Sequence, residues 1–167
     1  MIVDRDQIVA GLKAIWPDML QAHSVAVGNI YIPRNRYYAP TRKQFENMVD
    51  ATWNSIAKNV PYTPDLFMCS NFAATLAVVA DFYVLQLQAL NQLDPKVAAE
   101  WCVGETWGIK FHGDLMGHAV CLMGLDIDNR LEFWFFEPQP QRKADGSIDF
   151  LAWKADSQSN KIHFFKL

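Results

Sequence analysis

The chain has 167 residues, of which 51% are hydrophobic and 13% aromatic, and its formal net charge at pH 7 is −3. That length and apolar content are enough for one well-filled core and too little for two, so we expect a single globular domain over 1–167. The acidic balance argues against a general binder of nucleic acid, because such proteins need a surplus of Lys and Arg on one face.

The three cysteines, Cys69, Cys102 and Cys121, are odd in number and lack CxxC spacing. This pattern disfavours both a disulfide framework and a zinc cluster. Residues 1–13 alternate charged and apolar side chains and hold no signal-peptide apolar region, and no stretch reaches about eighteen consecutive apolar residues. We therefore expect a soluble, cytoplasmic protein without a membrane partner.

The first half of the chain is predicted to be mainly helical. In chain order the patterns indicate a helix over 4–15, a strand over 24–32, a loop over 34–40 that packs its aromatic residues onto the body, and an amphipathic helix opened by Thr41. Residues 95–100 add one or two helical turns. The helical part of the domain is thus expected to cover about 1–100.

One further helix is predicted to organise the domain. Asp65 is its expected N-cap, and from Leu66 to about Leu90 there is no Gly or Pro. Because its residues are apolar nearly all round, we expect other elements to pack against it on most sides. Cys69 falls in or near its first turn, where unpaired backbone N–H groups and the helix dipole stabilise a thiolate over a thiol.

After residue 100 the hydrophobic period changes to two, which is typical of strands. The predicted strands cover 103–111, 118–126, 130–137, 148–153 and 161–167, with turns at 113–114, 128–129 and 145–146. The sheet part is thus expected to cover about 101–167. Helices first and antiparallel strands second indicate the α+β class.

His118 begins an almost wholly apolar strand, and Gly117 before it leaves room beside the ring. If Asp128 and Asn129 form a two-residue hairpin loop, continuing the register sets His118 opposite Gln139, and places Glu137 as a diagonal neighbour on the same sheet face. Diagonal neighbours lie roughly 7–8 Å apart, within reach of a Glu and a His.

These residues suit nucleophilic catalysis. A cysteine nucleophile needs a histidine that takes and returns its proton, and a third group that orients the ring. Cys69, His118 and Glu137 fit these three roles, and Gln139 would donate its amide to an oxyanion or help fix the ring. Taken singly, each residue is more often structural, and Cys102 and Cys121 are predicted to be small buried residues.

The order Cys69, then Gly-His-Ala at His118, then Phe-Phe-Glu-Pro-Gln around Glu137 resembles papain-like cysteine peptidases of the Cys-His-Glu type. The pattern is similar to the C-terminal protease domain of fungal chimeric agglutinins, and it covers 62–139. The resemblance implies a papain-like core with Cys69 as nucleophile, His118 as base and acid, Glu137 as orienting residue, and Gln139 beside the site.

The same resemblance raises calcium as a cofactor, although nothing in the sequence itself requires one. The related family uses carboxylates shortly after the cysteine, where this chain has Ser70 and Asn71. Oxygen ligands elsewhere would have to come from Asp65, Asp81, Asp114 and the turn at 126–129. That turn is more simply a hairpin loop.

The sequence therefore predicts a thiol hydrolase that cleaves an amide bond of a peptide or peptidoglycan-type substrate through an acyl-enzyme on Cys69. Two alternatives stay open. One is a catalytically silent binding or assembly domain, which an exposed apolar surface would favour. The other is transglutaminase-type acyl transfer, which uses the same nucleophile and base with an amine acceptor.

Overall fold

The computed structural model describes residues 1–17, 30–60, 69–94, 100–109, 111, 117–142, 148–156 and 161–167. Within these residues the chain has the predicted α+β arrangement. The helical elements are α1 (Arg5–Ile15), α2 (Arg42–Met48), a π-helical turn (Val49–Trp53), α3 (Asn54–Asn59) and α4 (Cys69–Ala89). The strands are β1 (Ile2–Asp4), β2 (Ile30–Tyr31), β3 (Arg36–Tyr38), β4 (Glu100–Trp101), β5 (Val103–Ile109), β6 (His118–Ile127), β7 (Arg130–Phe136), β8 (Gln141–Arg142), β9 (Ile148–Asp149), β10 (Ala152–Lys154) and β11 (Lys161–Lys166).

A six-stranded sheet forms the centre, in the order β10-β7-β6-β5-β11-β2. Its first five strands are antiparallel, and only β2 pairs in parallel, with β11. Strands β6 and β7 form the predicted hairpin. The strands predicted over 103–111, 118–126, 130–137 and 161–167 are confirmed in this sheet, with ends that differ by one or two residues. The single strand predicted over 148–153 is wrong, because it divides into β9, which pairs with β8 in a separate two-stranded sheet, and β10, which joins the central sheet.

A second sheet corrects the prediction that the first part holds helices and one strand. Strands β1, β3 and β4 form a three-stranded sheet, in which β3 pairs antiparallel with β1 and parallel with β4. The segment over 34–40, predicted as a loop, contains β3, whose central Tyr37 is fully buried. Three residues are too few to show strand periodicity, and this strand forms because both of its neighbours supply backbone partners.

The predicted helix starts at Asp4 and Thr41 are confirmed by capping boxes. Asp4 accepts a hydrogen bond from the backbone of Gln7, and Thr41 accepts one from the backbone of Gln44, while each glutamine side chain bonds back to the cap residue. These bonds satisfy N–H groups that the first helical turn leaves unpaired. The capping residues Asp4 and Thr41 therefore determine where these two amphipathic helices begin.

The sheet has an apolar core on each face. On one face, α2, α3 and α4 pack over the odd-numbered residues of β6, among them Ala119, Cys121 and Met123. On the other face, α1 packs with aromatic residues over the even-numbered ones, Val120 and Leu122. Strand β6 is thus buried on both faces, which explains its nearly continuous apolar sequence.

The central helix α4 differs from its prediction in one respect. It buries Phe72, Leu76 and Val79 against the sheet side, but Phe82 is 66% exposed, and so are Val78 at 53% and Leu85 at 58%. The prediction that other elements cover it on most sides is therefore wrong for this outer face. A helix that is apolar nearly all round does not reveal from its sequence which side is buried, because it has few polar residues to mark the solvent face.

Helix α4 is also long and apolar enough to cross a membrane, judged by length and composition alone. Core helices of globular domains meet the same criterion, and α4 packs seven residues into the core.

Several predictions fall outside the described residues. They are the N-cap at Asp65, most of the strand over 24–32, residues 95–99 of the predicted helical turns, and the turns at 113–114 and 145–146. The prediction of helical turns over 95–100 is wrong at its last residue, because Glu100 pairs with β3 as part of β4.

Close strand packing makes one glycine indispensable. A Cβ added at Gly104 in β5 would lie 2.1 Å from the backbone carbonyl oxygen of Lys166 in the neighbouring β11. We expect Gly104→Ala to lower the free energy of unfolding by about 3 kcal/mol, because backbone atoms cannot rotate away. Chemical denaturation measures the change. Gly117→Ala is the matched control, since a Cβ there meets nothing within 4 Å, and equal stability of both variants would contradict the packing argument.

Candidate active site

The β6–β7 hairpin brings two predicted site residues together. Its two-residue turn has Asp128 and Asn129 at φ 51° and 61°, and Ile127 pairs with Arg130 as predicted. Positive φ at both turn positions is typical of the type I′ turns that fit strand twist. The register continues without a shift to Cys121 and Phe136, so the start of β6 and the end of β7 meet at one rim of the sheet.

At this rim His118 is bound to Glu137. The Nε2 atom of His118 lies 2.5 Å from Oε2 of Glu137, and the carboxylate side chain is only 5% exposed. The other carboxylate oxygen, Oε1, accepts the backbone N–H of Gln139 at 3.0 Å. Both oxygens of a buried carboxylate are therefore engaged, as a charge in this position requires.

Cys69 interacts with the same imidazole. It is the first described residue of α4 and is half-buried, and its interaction with His118 is the largest cause of the lowered pKa of its thiol. The predicted trio Cys69, His118 and Glu137 is thus brought into one chain of contacts in which the histidine is the middle member.

The electrostatics of the trio favour an ion pair. The hydrogen bond to His118 lowers the pKa of the Cys69 thiol, and hydrogen bonds from the backbone of Ala119 and Ser70 add to this against the opposing effect of burial. Hydrogen bonds first to Cys69 and then to Glu137 raise the pKa of His118 to about 10. A lowered thiol pKa and a raised imidazole pKa both favour the thiolate–imidazolium pair over the neutral pair.

The surroundings hold the imidazole ring while leaving it accessible. The edge of His118 packs at 6.4 Å, centroid to centroid, on Phe111, which is itself buried against Phe135 and Trp153. The side chain of His118 is 26% exposed. The ring of His118 is therefore held by aromatic packing on one side and exposed to solvent on another. A site that admits substrate needs both.

The structure gives Gln139 a contact other than the one predicted. Its backbone N–H, rather than its side-chain amide, bonds Glu137. Its predicted roles as an oxyanion donor or a ring-fixing amide stay predictions.

Two contacts around the site were not predicted from the sequence. Trp53, which lies in the helical segment predicted after Thr41, donates its Nε1–H to the carbonyl oxygen of Pro138 at 3.0 Å. The Sγ atom of Cys121 donates to the carbonyl of Ala73 at 3.3 Å and so joins β6 to α4. Both contacts join residues far apart in the chain, and no local pattern signals them.

The other two cysteines are buried, as predicted. Cys102 and Cys121 are fully buried, and burial raises the pKa of Cys102 to about 12 and that of Cys121 well above the usual range. Buried neutral thiols of this kind are inert. They therefore differ from Cys69 in both exposure and charge state.

The candidate calcium ligands do not converge in the part of the chain that the structure describes. No group of three or more His, Cys, Asp or Glu side chains there is placed to hold a metal ion. Asp126 instead binds the amino group of Met1 and the backbone of Asn129. Asp65 and Asp114 lie outside the described residues.

The pKa shifts predict the pH dependence of Cys69 alkylation by iodoacetamide. Reactivity should extend to lower pH than that of an ordinary thiol, whose pKa is about 8.5, and should fall as pH drops through the lowered pKa of Cys69. His118→Ala removes the largest cause of that lowering, so the midpoint should move to higher pH. Labelled-peptide mass spectrometry measures all three cysteines at once. Equal rates with and without His118 would contradict the ion pair.

A scan against protein-family models found no match for this chain, and a search of curated proteins found none either. Function is therefore inferred from the residues and their geometry.

Proposed function

We propose that this protein is a thiol hydrolase that cleaves an amide bond through an acyl-enzyme on Cys69. The observation that carries the proposal is the contact chain from Cys69 through His118 to the buried Glu137, in which the thiol pKa is lowered and the imidazole pKa raised. Perturbed pKa values of a nucleophile and its base at a half-open position are characteristic of catalytic sites.

In the proposed reaction the Cys69 thiolate attacks the carbonyl carbon of the substrate and a C–S bond forms. The His118 imidazolium gives its proton to the amide nitrogen, the C–N bond breaks, and the amine leaves. Water then attacks the thioester while His118 accepts its proton, and the C–S bond breaks to give the carboxylic acid product and the Cys69 thiolate beside the His118 imidazolium, as at the start. Glu137 holds the imidazolium and its orientation throughout.

The proposal includes a papain-like core. A helix that begins with cysteine packs against an antiparallel sheet in which one strand begins with histidine and the next is followed by glutamate. This order along the chain supports the resemblance to papain-like peptidases of the Cys-His-Glu type. By that resemblance the proposed substrates are peptides or the peptide part of peptidoglycan.

The test is to trap the acyl-enzyme. The protein is incubated with a panel of peptides and muropeptides, quenched in acid, and its intact mass measured. The expected result is an added acyl mass on Cys69 that hydroxylamine removes, together with release of the amine product. Prior alkylation of Cys69 should abolish both. A reactive Cys69 that forms no acyl adduct with any member of the panel, with or without calcium, would count against hydrolysis.

A second candidate is a binding or assembly domain without catalysis, and the exposed face of α4 favours it. Val78, Phe82 and Leu85 lie three or four residues apart and form an exposed apolar stripe. Large exposed apolar side chains grouped on one face are often contact surfaces. This candidate predicts that Cys69 is no more reactive than Cys102 and that Phe82→Ser weakens self-association or partner capture.

Acyl transfer shares the first half of the proposed reaction. It differs only in the acceptor, because an amine takes the place of water at the thioester. Adding a primary amine to the acyl-enzyme assay distinguishes the two reactions. Amide product in preference to acid would assign a transferase.

A further inference from the structure

Trp53 lies between the two halves of the site. It is fully buried, and its indole N–H donates to the carbonyl oxygen of Pro138, the residue after Glu137. Pro138 is buried, and this bond gives its carbonyl oxygen the hydrogen-bond partner that a buried carbonyl needs. The bond therefore restrains the chain at the residue next to the carboxylate.

Trp53 also contacts helix α4, which carries the proposed nucleophile Cys69. Its ring packs edge to face on Phe72, with centroids 6.4 Å apart. Phe72 lies three residues after Cys69 on α4, so the two are neighbours along one side of the helix. One side chain thus contacts both the helix of Cys69 and the segment of Glu137.

The backbone at Trp53 is unusual as well. Trp53 ends the π-helical turn that interrupts the helix between α2 and α3. A π-helical turn inserts one residue relative to an α-helix and so redirects the side chains near it, and such turns frequently occur at functional sites. It is a local irregularity in an otherwise regular amphipathic helix.

We propose that Trp53 is a positioning residue for Glu137, an inference that rests on the proposed function of the site. It touches none of the reacting atoms. Its N–H fixes the Pro138 carbonyl, which holds the Glu137 carboxylate at bonding distance from His118 Nε2, and this holds the imidazolium beside the thiolate. A displacement of about 1 Å in such a chain costs up to about 100-fold in rate.

The test is Trp53→Phe, which removes the N–H and keeps an aromatic ring. The readout is the pH midpoint of Cys69 alkylation, which needs no substrate. We expect the midpoint to rise by about half a pH unit, which is about a threefold loss of thiolate below it, and kcat to fall more than KM changes. A merely structural role would lower the melting temperature and leave the midpoint in place.

Trp101→Phe is the matched control. Trp101 is equally buried and also packs edge to face on an aromatic ring, that of Tyr83 at 5.6 Å. Its Nε1 makes no hydrogen bond with the residues that the structure describes, so the substitution loses ring volume without losing such a bond. The midpoint should stay at the wild-type value in this variant.

Three results overturn the inference. The first is an unchanged midpoint in Trp53→Phe, and the second is an equal shift in Trp101→Phe. The third is a further shift when Trp53→Phe is added to Glu137→Gln, since a residue that acts through Glu137 has no effect once that carboxylate is removed.

If Trp53→Phe does not fold, benzothienylalanine at position 53 keeps the ring volume and removes only the N–H. A wild-type Cys69 that is not activated overturns the proposed function and this inference together, whereas an activated Cys69 with an unchanged variant midpoint overturns the inference alone.

Discussion

Replacing Cys69 with alanine should abolish amide cleavage, with a loss of about 10⁶-fold in kcat, while the melting temperature changes by less than about 4 °C. The thiolate is the group that attacks the amide carbonyl in the proposed reaction, whereas the half-buried side chain contributes little apolar contact. The pKa of His118 should also fall, because its hydrogen bond to Cys69 is the largest cause of its raised value. Activity assays, thermal unfolding and NMR titration of His118 measure the three effects.

Cys102→Ala is the control with the opposite expected pattern. Cys102 is buried in the core, so its truncation should lower stability and leave the rate per folded molecule unchanged. A Cys69→Ala protein that loses much stability and has no activity to lose would instead support the catalytically silent alternative.

Glu137→Gln should reduce kcat by about 100-fold or more. Both carboxylate oxygens accept hydrogen bonds, one from His118 and one from the backbone N–H of Gln139. A glutamine side chain has only one acceptor oxygen, so its amide N–H₂ must face one of these two donors. The buried site is then left with an unpaired donor, and the imidazolium loses its counter-charge.

The pKa of His118 reports the same change. Glu137 is the second largest cause of its elevation, so the pKa should fall in Glu137→Gln. The raised pKa implies that the imidazolium contributes stability fully below an unfolded pKa of about 6.5, and that this contribution is lost as pH rises through about 10. The variant should lose part of this stabilisation at pH 6 to 8, where unfolding experiments can measure it.

Glu132→Gln is the matched control on the same strand. Glu132 is partly exposed and pairs with Lys154 at 2.9 Å, on the surface of β7. Exposed ion pairs contribute at most about 1 kcal/mol, so this variant should keep full activity. If Glu132→Gln and Glu137→Gln lose activity equally, Glu137 has no special role at the site.

The sequence predicted the hairpin of the site well because its register depends on local chemistry. A two-residue loop with Asp128 and Asn129 admits only a few turn types, and each fixes which residues pair. Once Ile127 and Arg130 pair, the alternation of strands determines that His118 and Glu137 share a face. No information from distant parts of the chain is needed for this step.

The remainder depends on tertiary contacts that leave no local pattern. Strand β3 is held by strands before and after it in the chain, and the outer face of α4 has the same apolar residues as its buried face. The bond between Trp53 and Pro138 joins residues 85 positions apart. In each case the local structure depends on the element that packs against the segment rather than on the sequence of the segment itself.

The turn at 128–129 lies at the end of the hairpin opposite His118, about 30 Å away for nine strand residues. Surface turns usually tolerate an inserted residue, because little packs against them. Here one residue inserted without a compensating bulge would slide β7 by one position and turn Glu137 to the other side of the sheet, away from the imidazole. The length of this remote turn therefore controls the position of Glu137, and homologous chains should keep its residue count and draw both residues from Asn, Asp and Gly, which accept positive φ.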